Sequence, residues 1–108
     1  MKRRVLITGV SGGIGSATAQ AFLADEWDVI GLDTTEPPHD VADQVSFHVC
    51  DLADRIQIVE TLDRALAGEP LNALVNNAAV QLNKSLHETS DADWDRVMNI
   101  NVGAAFAC

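Results

Sequence analysis

The residues most able to do chemistry sit near the start of the chain. Thr8-Gly9-Val10-Ser11-Gly12-Gly13-Ile14-Gly15 follows a short apolar run and opens an amphipathic segment. A turn this tight needs a residue without a Cβ, which Gly9 supplies. Close approach of the backbone to a diphosphate needs another, at Gly12 or Gly13, and Gly15 allows the following helix to pack against a sheet. The start of that helix offers free N–H groups and about half a positive charge to an anion. A strand-to-helix turn with no ligand uses the same glycines, so the run alone leaves both readings open. A nucleoside-triphosphate loop is excluded, because no Gly-Lys-Ser/Thr follows.

Asp33 ends the second apolar run, 18 residues past Gly15. An acid about 20 residues beyond such glycines can accept hydrogen bonds from both hydroxyls of an adenosine ribose. Charge-assisted bonds of this kind contribute about 1.5–3 kcal/mol. The same carboxylate repels a 2′-phosphate, and neither Gly12 nor Thr34 provides a basic partner for one. The expected cofactor is therefore NAD rather than NADP. The plain alternative is an Asp that caps a loop.

Other polar residues carry less. Asn76, Asn77 and Asn101 are amides among apolar neighbours, and buried amides are normally hydrogen-bonded. Asn77 is expected to tie the fourth strand to its neighbours. Asn101 could simply bond a main-chain carbonyl within its helix. His39, His48 and His87 share no ligand spacing, so no metal site is expected. Cys50 reads as a packing residue, and Trp94 as a helix-packing anchor. The chain has no Tyr, so it cannot by itself supply a phenolic acid or base.

Positioning such a turn and such an acid requires alternating strands and helices. Four apolar runs of strand length are present: Val5–Ile7, Val29–Leu32, Val45–Val49 and Leu71–Val75. Short continuous runs suit parallel strands covered on both faces. Between them, Ile14, Ala17, Thr18, Ala21 and Phe22 fall at helical spacing, as do Ile56, Val59, Leu62 and Leu66. Asp51 to Asp54 supplies cap residues before the second of these helices, and Gly68 and Pro70 stop it. Ser90-Asp91-Ala92-Asp93 approximates a capping box, after which Trp94, Val97, Met98, Asn101 and Ala105 mark an inner face. The acids Asp91, Asp93 and Asp95 suit a first helical turn without any metal. The Asp33–Val45 connection is short and holds Pro37 and Pro38, so a loop with one helical turn around Asp40–Asp43 is expected there. The fold class is α/β: a partial Rossmann-type, doubly wound parallel sheet of four strands in the order 3-2-1-4, with helices on both faces. Residues 1–108 are read as one such domain.

Composition narrows the partners. The 108 residues are 47% hydrophobic and 21% charged, a globular balance. Seven Lys and Arg against 16 Asp and Glu give a net charge of −9, which disfavours nucleic acid and anionic membranes. Two cysteines make no disulfide framework. The apolar run after Met1-Lys2-Arg3-Arg4 is too short for a signal peptide, and a cytoplasmic location is expected.

Four segments together resemble the short-chain dehydrogenase/reductase family. Thr8-Gly9-x-x-x-Gly13-Ile14-Gly15 resembles its cofactor turn, and Asp51-Leu52 its adenine-binding pair. Asn76-Asn77-Ala78-Ala79 resembles its Asn-Asn-Ala-Gly motif, with Ala79 where Gly is usual. Trp94-Asp95-x-x-x-x-Ile100-Asn101 resembles the start of its long interface helix. Gly9, Gly12 and Gly15 also satisfy the pattern of extended, epimerase-type relatives, but the two later segments favour the short-chain type. The resemblance implies hydride transfer between a nicotinamide ring and a small-molecule alcohol or carbonyl. It assigns cofactor contacts to Thr8, Gly9, Ser11, Gly12, Gly13, Ile14, Gly15, Asp33, Asp51, Leu52, Asn77, Ala78 and Ala79. Asn101 corresponds to the family's catalytic Asn, which helps position a proton-relay water.

The family's Ser and Tyr-x-x-x-Lys have no counterpart in this sequence. The helix at Gly103–Cys108 also lacks a stop signal, so the expectation is an N-terminal portion of a longer enzyme. On that expectation the portion alone is inactive and poorly stable, and the intact enzyme is a homodimer or homotetramer. A nucleotide-binding or regulatory relative that ends at Cys108 is the alternative.

Overall fold

The computed structural model describes residues 2–108. Strand β1 spans Arg4–Thr8, β2 Asp28–Asp33, β3 Ser46–Val49 and β4 Ala73–Val75. They form one parallel sheet in the order β3-β2-β1-β4. The strand order expected from the alternating pattern is the one observed. Val5 sits between Val29 and Ala73, and Leu6 between Ile30 and Leu74.

Successive side chains of a strand point to opposite faces, so both faces of β1 need cover. One face joins Val5, Ile7, Val10, Val29, Val41 and Val45 to Ala19 of helix α1, which spans Gly13–Ala24. The other joins Leu6, Ile30, Leu32, Cys50 and Leu52 to Ile58 of helix α3, which spans Arg55–Leu66. Helix α2 is a single turn, His39–Ala42, within the short Asp33–Val45 connection. Its Val41 is fully buried and covers the sheet face that a longer helix would otherwise occupy.

The helix boundaries follow from local chemistry. Asp54 caps α3, its Oδ1 accepting from the N–H of Ile56 at 3.0 Å and of Gln57 at 3.2 Å. Ala67 at φ 50° and Gly68 at φ 76° end it. Helix α4, Asp91–Met98, begins with a full capping box. The Asp93 N–H donates to Ser90 Oγ and the Ser90 N–H to Asp93 Oδ2, each at 3.1 Å. The helix then widens into a π-turn at Asn99–Gly103, where the Ala104 N–H reaches back to the Asn99 carbonyl, before helix α5, Ala104–Ala107.

Periodicity gave the right helices and, in part, the wrong faces. Ile14 is 75% exposed, and Ala17 and Ala21 also face outward, while Gly15 and Ala19 are the buried residues of α1. In α3 the buried positions are Ile58 and Thr61, with Ile56 and Val59 exposed. Trp94 is 61% exposed rather than a packing anchor, and the helix buries Ile100 and Ala104 instead. The fourth strand is also shorter than Leu71–Val75. Asn72 leaves the apolar run to exchange two bonds with the Arg4 backbone, its Oδ1 accepting at 2.8 Å and its N–H donating at 2.9 Å.

Candidate functional site

A groove of about 560 Å³ runs across the carboxyl ends of the strands. The segments following β1, β2, β3 and β4 all reach it, which is where open α/β sheets bind ligands.

Its floor is the turn after β1. Gly9 has φ +68°, and a Cβ there would lie 2.9 Å from the Ala78 Cα. Both the left-handed backbone and the space require glycine. Gly15 has a sharper constraint: a Cβ would fall 1.9 Å from the Gly9 carbonyl oxygen. Gly15 therefore lets the helix close onto its own entry turn, not only onto the sheet. Gly13 differs from both, since a Cβ there meets nothing within 4 Å. Its lack of a side chain leaves open space in front of the helix start. Gly12 caps α1 with no side chain, and the first helical bond runs from the Ser16 N–H to Gly12 O at 2.8 Å. The N–H groups of Gly13, Ile14 and Gly15 thus have no acceptor inside the helix.

Asp33 stands beside this turn, half-buried. The Ser11 N–H donates to its Oδ2 at 3.0 Å and the Thr34 N–H to its Oδ1 at 2.7 Å. Oδ1 also accepts the Thr34 hydroxyl at 3.4 Å. A carboxylate offers about four acceptor positions, so the free one lies on Oδ2. Beyond β3, Asp51 and Leu52 form the next wall. The Asp51 N–H donates to Gln57 Oε1 at 3.1 Å, and Asp51 Oδ1 accepts the Ala53 N–H at 2.9 Å. Cys50 lies beneath them, and burial pushes its thiol above the usual range.

After β4, Asn77, Ala78 and Ala79 line the groove. Asn77 Nδ2 donates to the carbonyls of Thr8 at 3.2 Å and Gly9 at 3.1 Å. Its backbone N–H and that of Ala78 donate to Thr8 Oγ1 at 3.1 and 3.0 Å. Asn77 thereby ties the end of β4 to the glycine turn, as expected. Asn101 Oδ1 accepts the Val80 N–H at 2.8 Å, and its Nδ2 donates to Val80 O at 3.0 Å. The carbonyl it bonds therefore lies outside its own helix.

Most of the expected residues meet in this groove. Three act from behind it: Thr8 is buried and holds the β4 end, Ser11 braces Asp33 while its hydroxyl donates to the Thr35 carbonyl, and Asn101 holds Val80. Thr34, Val80, Arg96 and Ile100 join the lining without having been singled out as site residues. Arg96 and Ile100 lie four apart on one helical face, the signal that could have found them. Among the described residues, no three of His, Cys, Asp and Glu come together as a metal site. No helix among them is long and apolar enough to cross a membrane.

The profile of the short chain dehydrogenase family matches residues 3–108. The chain belongs to that family. It is 36% identical over 107 residues to 2,3-dihydro-2,3-dihydroxybenzoate dehydrogenase of Escherichia coli strain K12, covering 96% of this chain and 42% of that protein. Nodulation protein G of Rhizobium sp. strain N33 is 33% identical, with 96% of this chain and 45% of that one covered. Among solved structures, a blue fluorescent protein from a metagenomic library in complex with NADPH superposes with a TM-score of 0.86. It shares 30% identity and covers 97% of this chain and 47% of its own. A metagenomic short-chain oxidoreductase in complex with NADP gives a TM-score of 0.88 at 26% identity, over 97% of this chain and 51% of its own. The chain spans about half the length of the curated relatives it matches.

Proposed function

We propose that this groove holds NAD and that the whole protein is an oxidoreductase acting on a small-molecule hydroxyl or carbonyl group. The solved neighbours carry NADPH and NADP, and the E. coli relative is a dehydrogenase, so a nicotinamide nucleotide is the natural occupant. The observation that carries the choice of NAD is Asp33. Its carboxylate is braced by two backbone N–H groups and the Thr34 hydroxyl, with an acceptor position free on Oδ2. That position suits a ribose hydroxyl, and the charge opposes a phosphate in its place.

The residues present fit the cofactor. The open space at Gly13 and the unpaired N–H groups of the first turn of α1 suit a diphosphate. The Asp51–Leu52 turn lies beyond Asp33 on the adenosine side, and Asn77 to Ala79 form the opposite wall. When bound, NAD supplies the hydride acceptor and donor. Asn101 engages Val80 through both its amide atoms, so its part is to position that wall. No residue of this chain is a Tyr, and a phenolic proton exchange with substrate falls to other residues of the whole protein. The 108 residues alone are therefore proposed to be inactive. Trp94, Met98, Val102 and Phe106 are exposed along α4 to α5, which supports a homodimer or homotetramer built on this helix.

Calorimetric titration of the whole protein with NADH and with NADPH tests the reading. Binding of NADH at least tenfold tighter than NADPH is expected. Equal binding overturns the role of Asp33, and no binding of either nucleotide overturns the site.

A further inference from the structure

Asn99, Ile100 and Asn101 stand in succession at the π-turn; Ile100 lines the groove, and its two neighbours bond segments that flank it. Ile100 is 8% exposed and forms part of the groove wall. Successive helical residues point about 100° apart, so its two neighbours diverge to either flank. On one flank Asn101 holds Val80. On the other, Asn99 Nδ2 donates to the Ala53 carbonyl at 2.7 Å.

Ala53 closes the short turn that presents Asp51 and Leu52. That turn is otherwise shaped from within and from α3: Ala53 N–H to Asp51 Oδ1 at 2.9 Å, Asp54 N–H to Asp51 O at 3.0 Å, and Asp51 N–H to Gln57 Oε1 at 3.1 Å. Among the described residues, the Asn99 bond is the one side-chain hydrogen bond joining it to the helix that carries Ile100. Gly103 makes room for the arrangement. A Cβ there would lie 3.0 Å from Asn99 Oδ1 and 3.0 Å from an Arg55 guanidinium nitrogen, tighter than ordinary contact.

The geometry points to Asn99 as a positioning residue for the adenosine end of the groove, fixing the Asp51–Leu52 turn relative to Ile100 through the carbonyl of Ala53. This rests on the groove being a dinucleotide site. Losing the bond frees the turn to shift, which weakens capture of the base and its ribose. The opposite end, held separately by Asn101 and Asn77, is left as it was.

The test uses the whole protein, titrated by calorimetry with 5′-AMP for the adenosine end and with reduced nicotinamide mononucleotide for the other. Asn99→Asp keeps the side-chain size and removes the donor. Asn99→Leu removes both polar atoms, and Gly103→Ala crowds the same amide from the other side. For each variant that folds, 5′-AMP is expected to bind about 3- to 10-fold more weakly, the range for one lost hydrogen bond, with the mononucleotide changed less than twofold. A merely structural role would weaken both ligands alike. Equal loss for both ligands, or unchanged 5′-AMP binding in the folded variants, overturns the inference while leaving the groove reading intact. Failure of the unsubstituted protein to bind 5′-AMP removes that reading, and this inference with it.

Discussion

Two separable tasks are proposed for Asp33, and substituting it tests both. Its carboxylate accepts the N–H groups of Ser11 at 3.0 Å and Thr34 at 2.7 Å, which joins the end of β2 to the glycine turn. It also lines the groove, with an acceptor position left on Oδ2. Asp33→Ala in the whole protein removes the proposed charge-assisted hydrogen bond to a ribose, worth about 1.5–3 kcal/mol. At 1.4 kcal/mol per tenfold, that predicts NAD affinity lower by about 10- to 150-fold. The same change removes a repulsion of about 4 kcal/mol between unit charges 4 Å apart near a protein surface, so NADP is rejected less strongly. The ratio of the NADP to the NAD dissociation constant is then expected to fall by more than about 100-fold. Asp33→Asn keeps one oxygen to accept a backbone N–H and removes the charge, so its melting temperature should stay closer to that of the parent. The assay is calorimetric titration with each nucleotide, paired with a thermal melt. A ratio unchanged within threefold in a folded Asp33→Ala variant would refute the reasoning, because neither the hydroxyl bond nor the repulsion would then exist.

The glycines of the turn should separate by the same logic. Gly13→Val, whose Cβ meets nothing within 4 Å, should abolish dinucleotide binding with little change in the melt. Gly15→Ala, whose Cβ falls 1.9 Å from a backbone oxygen, should cost about 3 kcal/mol or more of stability, read from denaturant unfolding. Asp93 should titrate below the usual carboxylate range, because Lys84 hydrogen-bonds its carboxylate and the Ser90 backbone N–H adds to the effect. A lowered folded-state pKa means its stabilisation of the α4 start is present above the unfolded value and disappears as pH falls through the folded one. Carbon-detected NMR titration of Asp93 checks this, and Lys84→Ala should move the midpoint upward.

Much of the architecture was legible because its signals are local. An apolar run of strand length, a glycine turn, an acid 18 residues on, and a Ser-x-x-Asp cap each depend on neighbours a few residues away. The sheet order, the one-turn α2, the capping box at Ser90 and the meeting of Gly9 to Gly15, Asp33, Asp51-Leu52 and Asn77 to Ala79 around one groove all agree with them.

The faces of the helices were not legible in the same way. Ile14, Ile56, Val59 and Trp94 repeat at helical intervals yet face outward, while Ala19, Ile58, Thr61 and Ile100 are covered. Helical spacing states that a stripe exists but not which of two adjacent apolar stripes the sheet will take. That phase is settled by contacts between residues distant in sequence. Gly15 shows the same division. Its presence was readable, but the Gly9 oxygen it must avoid is placed only when the turn closes. The bonds from Asn99 to Ala53 and from Asn101 to Val80 join residues 46 and 21 positions apart. No local pattern encodes such pairs, because a side-chain amide finds its acceptor only once packing has brought the two strand-end loops against the helix.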